Sequence, residues 1–184
     1  MHRGVTECGD GLHLLLRAQA GDRAAVRELL DEAGPVVYGF VFARVGGDTG
    51  VAEDIVQETF MEAMRSASGF RGQAAVTTWL CAIARHRLAR HYERERRQEM
   101  ARSSLTLVGN DAVAEPPDTV EDRDALVRAL GSLSALHRQV LVLKYLDDRS
   151  VSDIADELGR SRVQVQSLLQ RARDGLRRQL ESSA

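Results

Sequence analysis

The sequence predicts an all-α protein made of two small helical domains joined by a flexible linker. Almost every apolar pattern repeats at a helical period, and no stretch alternates convincingly as a strand. One internal segment, Ser103–Asp118, has no sustained periodicity. It carries Gly109, Asn110, Pro116 and Pro117 together with several acids, which is linker chemistry. The resulting division is a first domain over 10–102, a linker over 103–118 and a second domain over 119–184.

The elements follow in order. Leu12, Leu15 and Leu16 predict a short first helix that Gly21 ends, with Asp22 placed to cap the next. Val26, Leu29, Leu30, Val37, Phe40 and Val41 continue at helical spacing, with Gly34-Pro35 expected to kink or break the run. Gly46-Gly47-Asp48 reads as a turn. A helix from about Thr49 to Ser66 is expected to send Val51, Ile55, Phe60 and Met64 toward a core. A glycine-bearing loop, Ser68–Ala75, leads to a long helix from about Thr77 to Arg102. Beyond the linker come four helical patterns, at about Thr119–Leu130, Ser134–Leu146, Val151–Leu158 and Arg162–Glu181. Ser150 and Asp153 have the spacing of a capping box, in which hydroxyl and carboxylate each satisfy a free backbone N–H.

Charge separates along the chain although the formal net charge is only −2. Arg85, Arg87, Arg90, Arg94, Arg96, Arg97 and Arg102 form one basic run, and Arg160, Arg162, Arg171, Arg173, Arg177 and Arg178 form another. An acidic stretch containing Asp111, Glu115, Asp118, Glu121, Asp122 and Asp124 lies between them. A near-neutral chain with segregated charge is built for local anionic contacts, with its acidic faces left for other partners. Cys8 and Cys81 are far apart and lack CxxC spacing, which fits a reducing compartment. Leu12–Leu16 is too short for a signal core or a membrane span, so the expected location is cytoplasmic, without membrane insertion.

The residues 150–173, SVSDIADELGRSRVQVQSLLQRAR, have the layout of a helix-turn-helix. Val151, Ile154, Ala155 and Leu158 form the packing side of a first helix. Gly159 stands where the chain must turn sharply, and Ser161 can cap the second helix. On that second helix Val165, Leu168, Leu169, Ala172 and Leu176 share one arc. Arg162, Gln166, Gln170, Arg173 and Arg177 share the opposite arc, with Ser167 and Arg171 beside them. An apolar docking side and an amide and guanidinium side suit a recognition helix in the major groove. An amphipathic helix in a small bundle would share the same periodicity.

Several ordered motifs together resemble the extracytoplasmic-function, or group IV, sigma factors of bacterial RNA polymerase. RAQAGDRAAVRELL (17–30) resembles the family's opening segment, and AEDIVQETFMEAMR (52–65) its region 2.2. GFRG and TTWLCAIARHRLARHYERERR, within 69–97, are similar to regions 2.3 and 2.4. Leu130–Arg173 resembles region 4. The resemblance spans nearly the whole chain, from about Leu14 to Leu180. It implies a region 2-like bundle, a region 4-like helix-turn-helix, and a function in promoter-specific transcription initiation with core RNA polymerase and promoter DNA as partners. Many members of the group are held inactive by an anti-sigma factor, so such a partner belongs to the expectation.

The resemblance also implies residue roles. Asp54, Gln57, Glu58 and Phe60 match the positions that dock on the largest polymerase subunit. Phe70 and its loop match the region that captures an unstacked −10 base. Arg85, Arg87, Arg90 and Arg94 would follow the phosphate backbone there, and His86 stands where many relatives carry Asn. Arg162, Gln164, Gln166, Ser167, Gln170, Arg171, Arg173 and Arg177 would face the −35 duplex. In that helix relatives commonly show Gly-Thr-Val-Lys/Arg-Ser-Arg, where this chain has Val163, Gln164, Val165, Gln166, Ser167 and Leu168. Two cationic positions have become Gln and Leu, which weakens phosphate attraction. Trp79 reads as a core anchor in preference to a base-stacking platform.

Other classes explain less of the sequence. Cys81, His86 and His91 are five residues apart, so each is turned about 140° from the last around a helix and the three do not converge on a metal. Neither a phosphate-binding glycine loop nor a nucleophile–base set is recognisable, so no catalytic residue, metal or cofactor is expected. A repressor or activator independent of polymerase would account for the helix-turn-helix alone. It would leave AEDIVQETF and the TWLCAIARH segment unexplained.

Overall fold

The computed structural model describes residues 8–103 and 120–183. Its described residues form helices and turns, without a strand. The segment read as a linker lies outside them, save for Ser103, which closes α4. Two compact units emerge. Among the described residues, the first joins those up to Ala43 with Asp48–Arg90, and the second joins Arg44–Gly47 with those from His91 onward.

In the first unit, α1 (Cys8–Gln19), α2 (Arg23–Arg44) and α3 (Thr49–Ser66) precede a single 3-10 turn at Ala67–Gly69 and the start of α4 (Val76–Ser103). Asp22 begins α2 as expected. Its carboxylate accepts from the backbone N–H groups of Ala24 and Ala25 and from Arg17 Nε at 2.9 Å. The Arg17 guanidinium and the two backbone donors hold the Asp22 carboxyl below its ordinary value. Asp48 caps α3 by accepting from Val51 N–H at 2.9 Å.

The core of this unit is a set of four-residue stripes. Ala25, Leu29, Ala33, Val37 and Val41 are buried on α2, and Val76, Leu80, Ala84 and Leu88 on α4. The α3 face consists of Ala52, Ile55, Thr59, Phe60 and Ala63. Val51 and Met64, expected in the core, are only half-buried. The α3 stripe is turned so that small residues face inward, and Thr59 is accommodated because its hydroxyl donates to Ile55 O at 2.7 Å. The expected interruption at Gly34-Pro35 does not end α2, which runs through Pro35. Gly34, lacking a Cβ, removes much of the steric conflict that a residue before proline meets in a helix.

The second unit contains the end of α4, α5 (Val120–Gly131), α6 (Ala135–Leu141), a π-helical turn at Val142–Leu146, α7 (Val151–Leu158) and α8 (Arg162–Ser183). The helix expected over Ser134–Leu146 is therefore α only in its first half. Its last turn widens, and Asp147 N–H reaches back to Val142 O at 3.0 Å. Leu130, Leu133, Val140, Leu141, Leu143, Ile154, Val165, Leu168 and Leu169 form one apolar cluster.

Several buried polar groups in this unit are paired. Arg44 donates to Asp147 Oδ1 at 2.7 Å, and the Tyr92 hydroxyl donates to Arg44 O at 2.6 Å. Burial pushes the Tyr92 hydroxyl well above its ordinary pKa. Arg138 is buried and donates to Glu95 Oε1, while His91 Nε2 lies 3.3 Å from Oε2 of the same carboxylate. Burial alone would raise the Glu95 pKa, but the hydrogen bonds from His91 and Arg138 outweigh it and bring it to about 2.

A carboxylate with a folded-state pKa depressed from 4.5 to about 2 adds stability above the higher value and loses it as pH falls toward the lower. Glu95→Gln should cost roughly 1–3 kcal/mol near neutrality. In urea titrations the gap between wild type and variant should close between pH 4.5 and about pH 2. A gap that stays constant over this range would contradict the assignment.

Candidate nucleic-acid interface

The helix-turn-helix is built from α7, a tight turn and α8. Ser150 Oγ accepts from Asp153 N–H at 3.1 Å, and the Asp153 carboxylate accepts in return from Ser150 N–H at 3.3 Å. These contacts with Ser150 hold the Asp153 carboxyl below its ordinary pKa. Gly159 ends α7 in the left-handed region at φ 61°, which lets Arg160 N–H return to Ala155 O at 2.9 Å. Ser161 then caps α8 in a second capping box. Its Oγ accepts from Gln164 N–H at 3.2 Å, and Gln164 Oε1 accepts from Ser161 N–H at 2.8 Å.

Val165, Leu168, Leu169 and Ala172 bury the inner arc of α8, as the periodicity predicts. The residues expected to face DNA fall into distinct situations on the outer arc. Gln166 is exposed and makes no intramolecular hydrogen bond among the described residues. Ser167 and Arg171 are exposed neighbours, with Arg171 Nη2 3.3 Å from Ser167 Oγ. Gln164 is occupied by the cap. Arg162 reaches back to Ser152 Oγ on α7 at 2.9 Å. Gln170 donates to both oxygens of the buried Asp174, at 3.1 and 3.2 Å, and accepts from Arg173 at 2.7 Å. Arg173 also reaches the Tyr145 hydroxyl at 3.4 Å, and Arg177 pairs with Glu181 at 2.9 Å. Asp174 and Tyr145 were not singled out from sequence. Asp174 is distinguished from the other acids of the helix by its burial to 1% exposure.

The first unit carries a different surface. Asp54, Gln57 and Glu58 are exposed on one face of α3, where Met61 joins them at 49% exposure. The spacing of these four residues places them along one stripe of the helix. Asp54 and Gln57 make no hydrogen bond or ion pair among the described residues, while Glu58 lies 3.7 Å from Arg87. Phe60 faces the other way and is buried, so its ring fills the protein's own core.

An open cleft of about 330 Å³ is lined by Glu62, Ser66, Gly69, Trp79, Ile83, His86, Arg87 and Arg90. Trp79 is half-buried. It packs on Phe70 with ring centroids 5.1 Å apart and also forms one wall of the cleft. Phe70 is buried behind it and supports the wall from inside. His86 and Arg90 are exposed at the cleft, whereas Arg87 is held by Glu62 at 2.9 Å. Arg85 lies over the Phe40 ring, 5.2 Å from its centroid. Arg94, in the second unit's part of α4, is exposed.

Among the described residues no group of three or more His, Cys, Asp or Glu side chains is placed to hold a metal. No described helix is long and apolar enough to cross a membrane.

The Sigma-70 region 2 family model matches residues 29–98, and the Sigma-70 region 4 model matches residues 123–175. The ECF RNA polymerase sigma factor BldN of Streptomyces coelicolor is 31% identical over 177 residues, covering 94% of this chain and 67% of the relative. The ECF RNA polymerase sigma factor SigL of Mycobacterium tuberculosis is 32% identical over 170 residues, covering 89% of this chain and 93% of the relative. Among solved structures, the sigma factor RpoE in complex with the anti-sigma factor NepR from Bartonella quintana aligns with a TM-score of 0.48 and 24% identity. That alignment covers 86% of this chain and 98% of the other. The chain belongs to the sigma-70 family of RNA polymerase sigma factors, in its extracytoplasmic-function group. It binds core RNA polymerase and directs promoter-specific transcription initiation.

The left-handed turn at Gly159 sets the angle at which α8 leaves α7. Gly159→Ala should lower stability by about 1 kcal/mol, and Gly159→Asn by less, because Asn tolerates this conformation better. Equal losses for the two variants in chemical denaturation would argue against backbone strain as the cause.

Proposed function

We propose that the two units divide the work of initiation. On this reading α3 docks on the polymerase through Asp54, Gln57 and Glu58, with Met61 supplying apolar area beside them. Phe60 contributes indirectly by anchoring the helix. The cleft beside Trp79 receives an unstacked −10 base, with His86 at its edge and Arg90 and Arg94 on phosphate. Phe70, Arg85 and Arg87 shape and brace that surface. The second unit reads the −35 duplex through the outer arc of α8. Gln166, Ser167 and Arg171 contact base edges, while Gln170, Arg173 and Arg177 act nearer the phosphates. The observation that carries this reading is the helix-turn-helix itself, whose apolar arc is spent on its own core while Gln166 stays exposed without a partner. The domain division at 103–118 and a cytoplasmic location belong to the same proposal. An anti-sigma factor is the further partner, of the kind with which RpoE of Bartonella quintana was solved.

Asp54 offers the cleaner test of docking, since Glu58 also neighbours Arg87. Asp54→Lys should weaken binding to core polymerase by roughly tenfold or more while far-UV helicity stays unchanged. An unaltered titration against core would remove α3 from the interface.

Promoter libraries randomised at both elements separate the two DNA surfaces. Gln166→Ala should relax one −35 position by roughly 1–3 kcal/mol if its amide makes a bidentate base contact. His86→Ala should change −10 preference and leave −35 preference intact. A −35 change from His86→Ala, or none from Gln166→Ala, would overturn the division.

A further inference from the structure

We propose that Val163 is a specificity-determining residue, and that its isopropyl group meets the 5-methyl group of a thymine in the −35 duplex. This inference rests on the −35 reading of α8 and names one base feature that the helix detects. Val163 is 74% exposed, more than any other large apolar side chain described. It is the second residue of α8, so it sits at the end of the recognition helix that a helix-turn-helix points at base edges. Gln166 and Ser167 follow at three and four residues, which puts all three on one face.

The side chains flanking Val163 are already engaged. Arg162 is held by Ser152 on α7, and Gln164 closes the capping box with Ser161. The leading edge of the helix is thus left to an apolar group and the free amide of Gln166. Of the four bases, only thymine presents a methyl group in the major groove, and an apolar side chain is the chemistry that detects it. Gln166 on the same face is suited to adenine N6 and N7. Together the two side chains form a reader of adjoining A·T pairs.

A protein partner fits this site less well. Exposed apolar residues mark protein interfaces when they form a contiguous patch. Val163 stands alone among Arg160, Arg162, Gln166 and Ser167, all exposed and polar.

The test uses holoenzyme assembled from core polymerase and the full chain. A −35 duplex is first selected from a randomised library, and each of its thymines is then replaced singly by deoxyuridine, which deletes only the methyl group. At one position the replacement should weaken wild-type binding by roughly fourfold, the value of one buried methyl-sized group. Val163→Ala should bind the thymine duplex more weakly by a similar factor and show no further loss with deoxyuridine. Val163→Ile should keep the methyl sensitivity. The proposal is overturned if no single deoxyuridine affects the wild type, or if Val163→Ala remains as methyl-sensitive as wild type. If scrambling the entire −35 element leaves binding unchanged, the −35 reading itself fails and the proposal falls with it. Sequence-dependent binding without methyl sensitivity sinks the proposal alone.

Discussion

The docking of α8 through Val165, Leu168, Leu169 and Ala172 is the interaction on which the DNA-reading unit depends. These side chains lie at 5% exposure or less, against a cluster that includes Ile154 of α7 and Val140, Leu141 and Leu143 before the loop. Burial of one arc fixes the rotation of the helix about its axis, and that rotation decides which polar residues face outward. The turn sets the remaining variable, the angle of departure. Gly159 permits a left-handed residue, and two capping boxes fix the starts of both helices. Apolar packing and backbone geometry thus prescribe where Gln166 points without any contact to Gln166 itself.

A second consequence concerns the helix beyond its first turns. Asp174 is buried on α8 and accepts two hydrogen bonds from Gln170, which in turn accepts from Arg173. A buried carboxylate must be satisfied, because leaving it unpaired would cost several kcal/mol or force its protonation. Gln170 therefore has a structural task that limits its freedom to leave for a base edge. On the proposed reading, the recognition surface narrows toward the N-terminal turns of α8. The middle of the helix is stiffened by a network running from Asp174 to the Tyr145 hydroxyl on the π-helical turn.

Much of the fold could be read in the sequence, because most helices here carry an apolar period and start or stop at residues with unambiguous local chemistry. Asp22, Asp48, Ser150, Gly159 and Ser161 all stand at helix boundaries for the reasons their side chains supply. The misses share a cause, which is that period identifies a face only to within a residue or so. On α3 it pointed to Val51 and Met64, but the packed stripe runs through Ala52, Thr59 and Ala63, since close helix approach favours small side chains. The π-helical turn left no local mark in the apolar period, which continues through the buried Val142 and Leu143. Gln164, which the resemblance places toward the −35 duplex, has a further task that its side-chain type does not announce, because its amide caps its own helix.

The arginine-rich helix shows the same limit in electrostatic form. From sequence, Arg85, Arg87, Arg90 and Arg94 are equivalent positive charges. In the fold, Arg87 is half-buried between Glu62 and Glu58, and Arg85 lies over Phe40. Transferring either to a phosphate would exchange one charge-stabilising environment for another, so the net gain would be small. Arg90 and Arg94 are exposed and carry no ion pair among the described residues, so a phosphate oxygen would gain the whole attraction. Counterion release on DNA binding scales with the charges that engage phosphate, not with the arginines counted along the helix. Two of the four arginines are therefore engaged by neighbouring side chains, and on the proposed reading the other two are the ones available to phosphate.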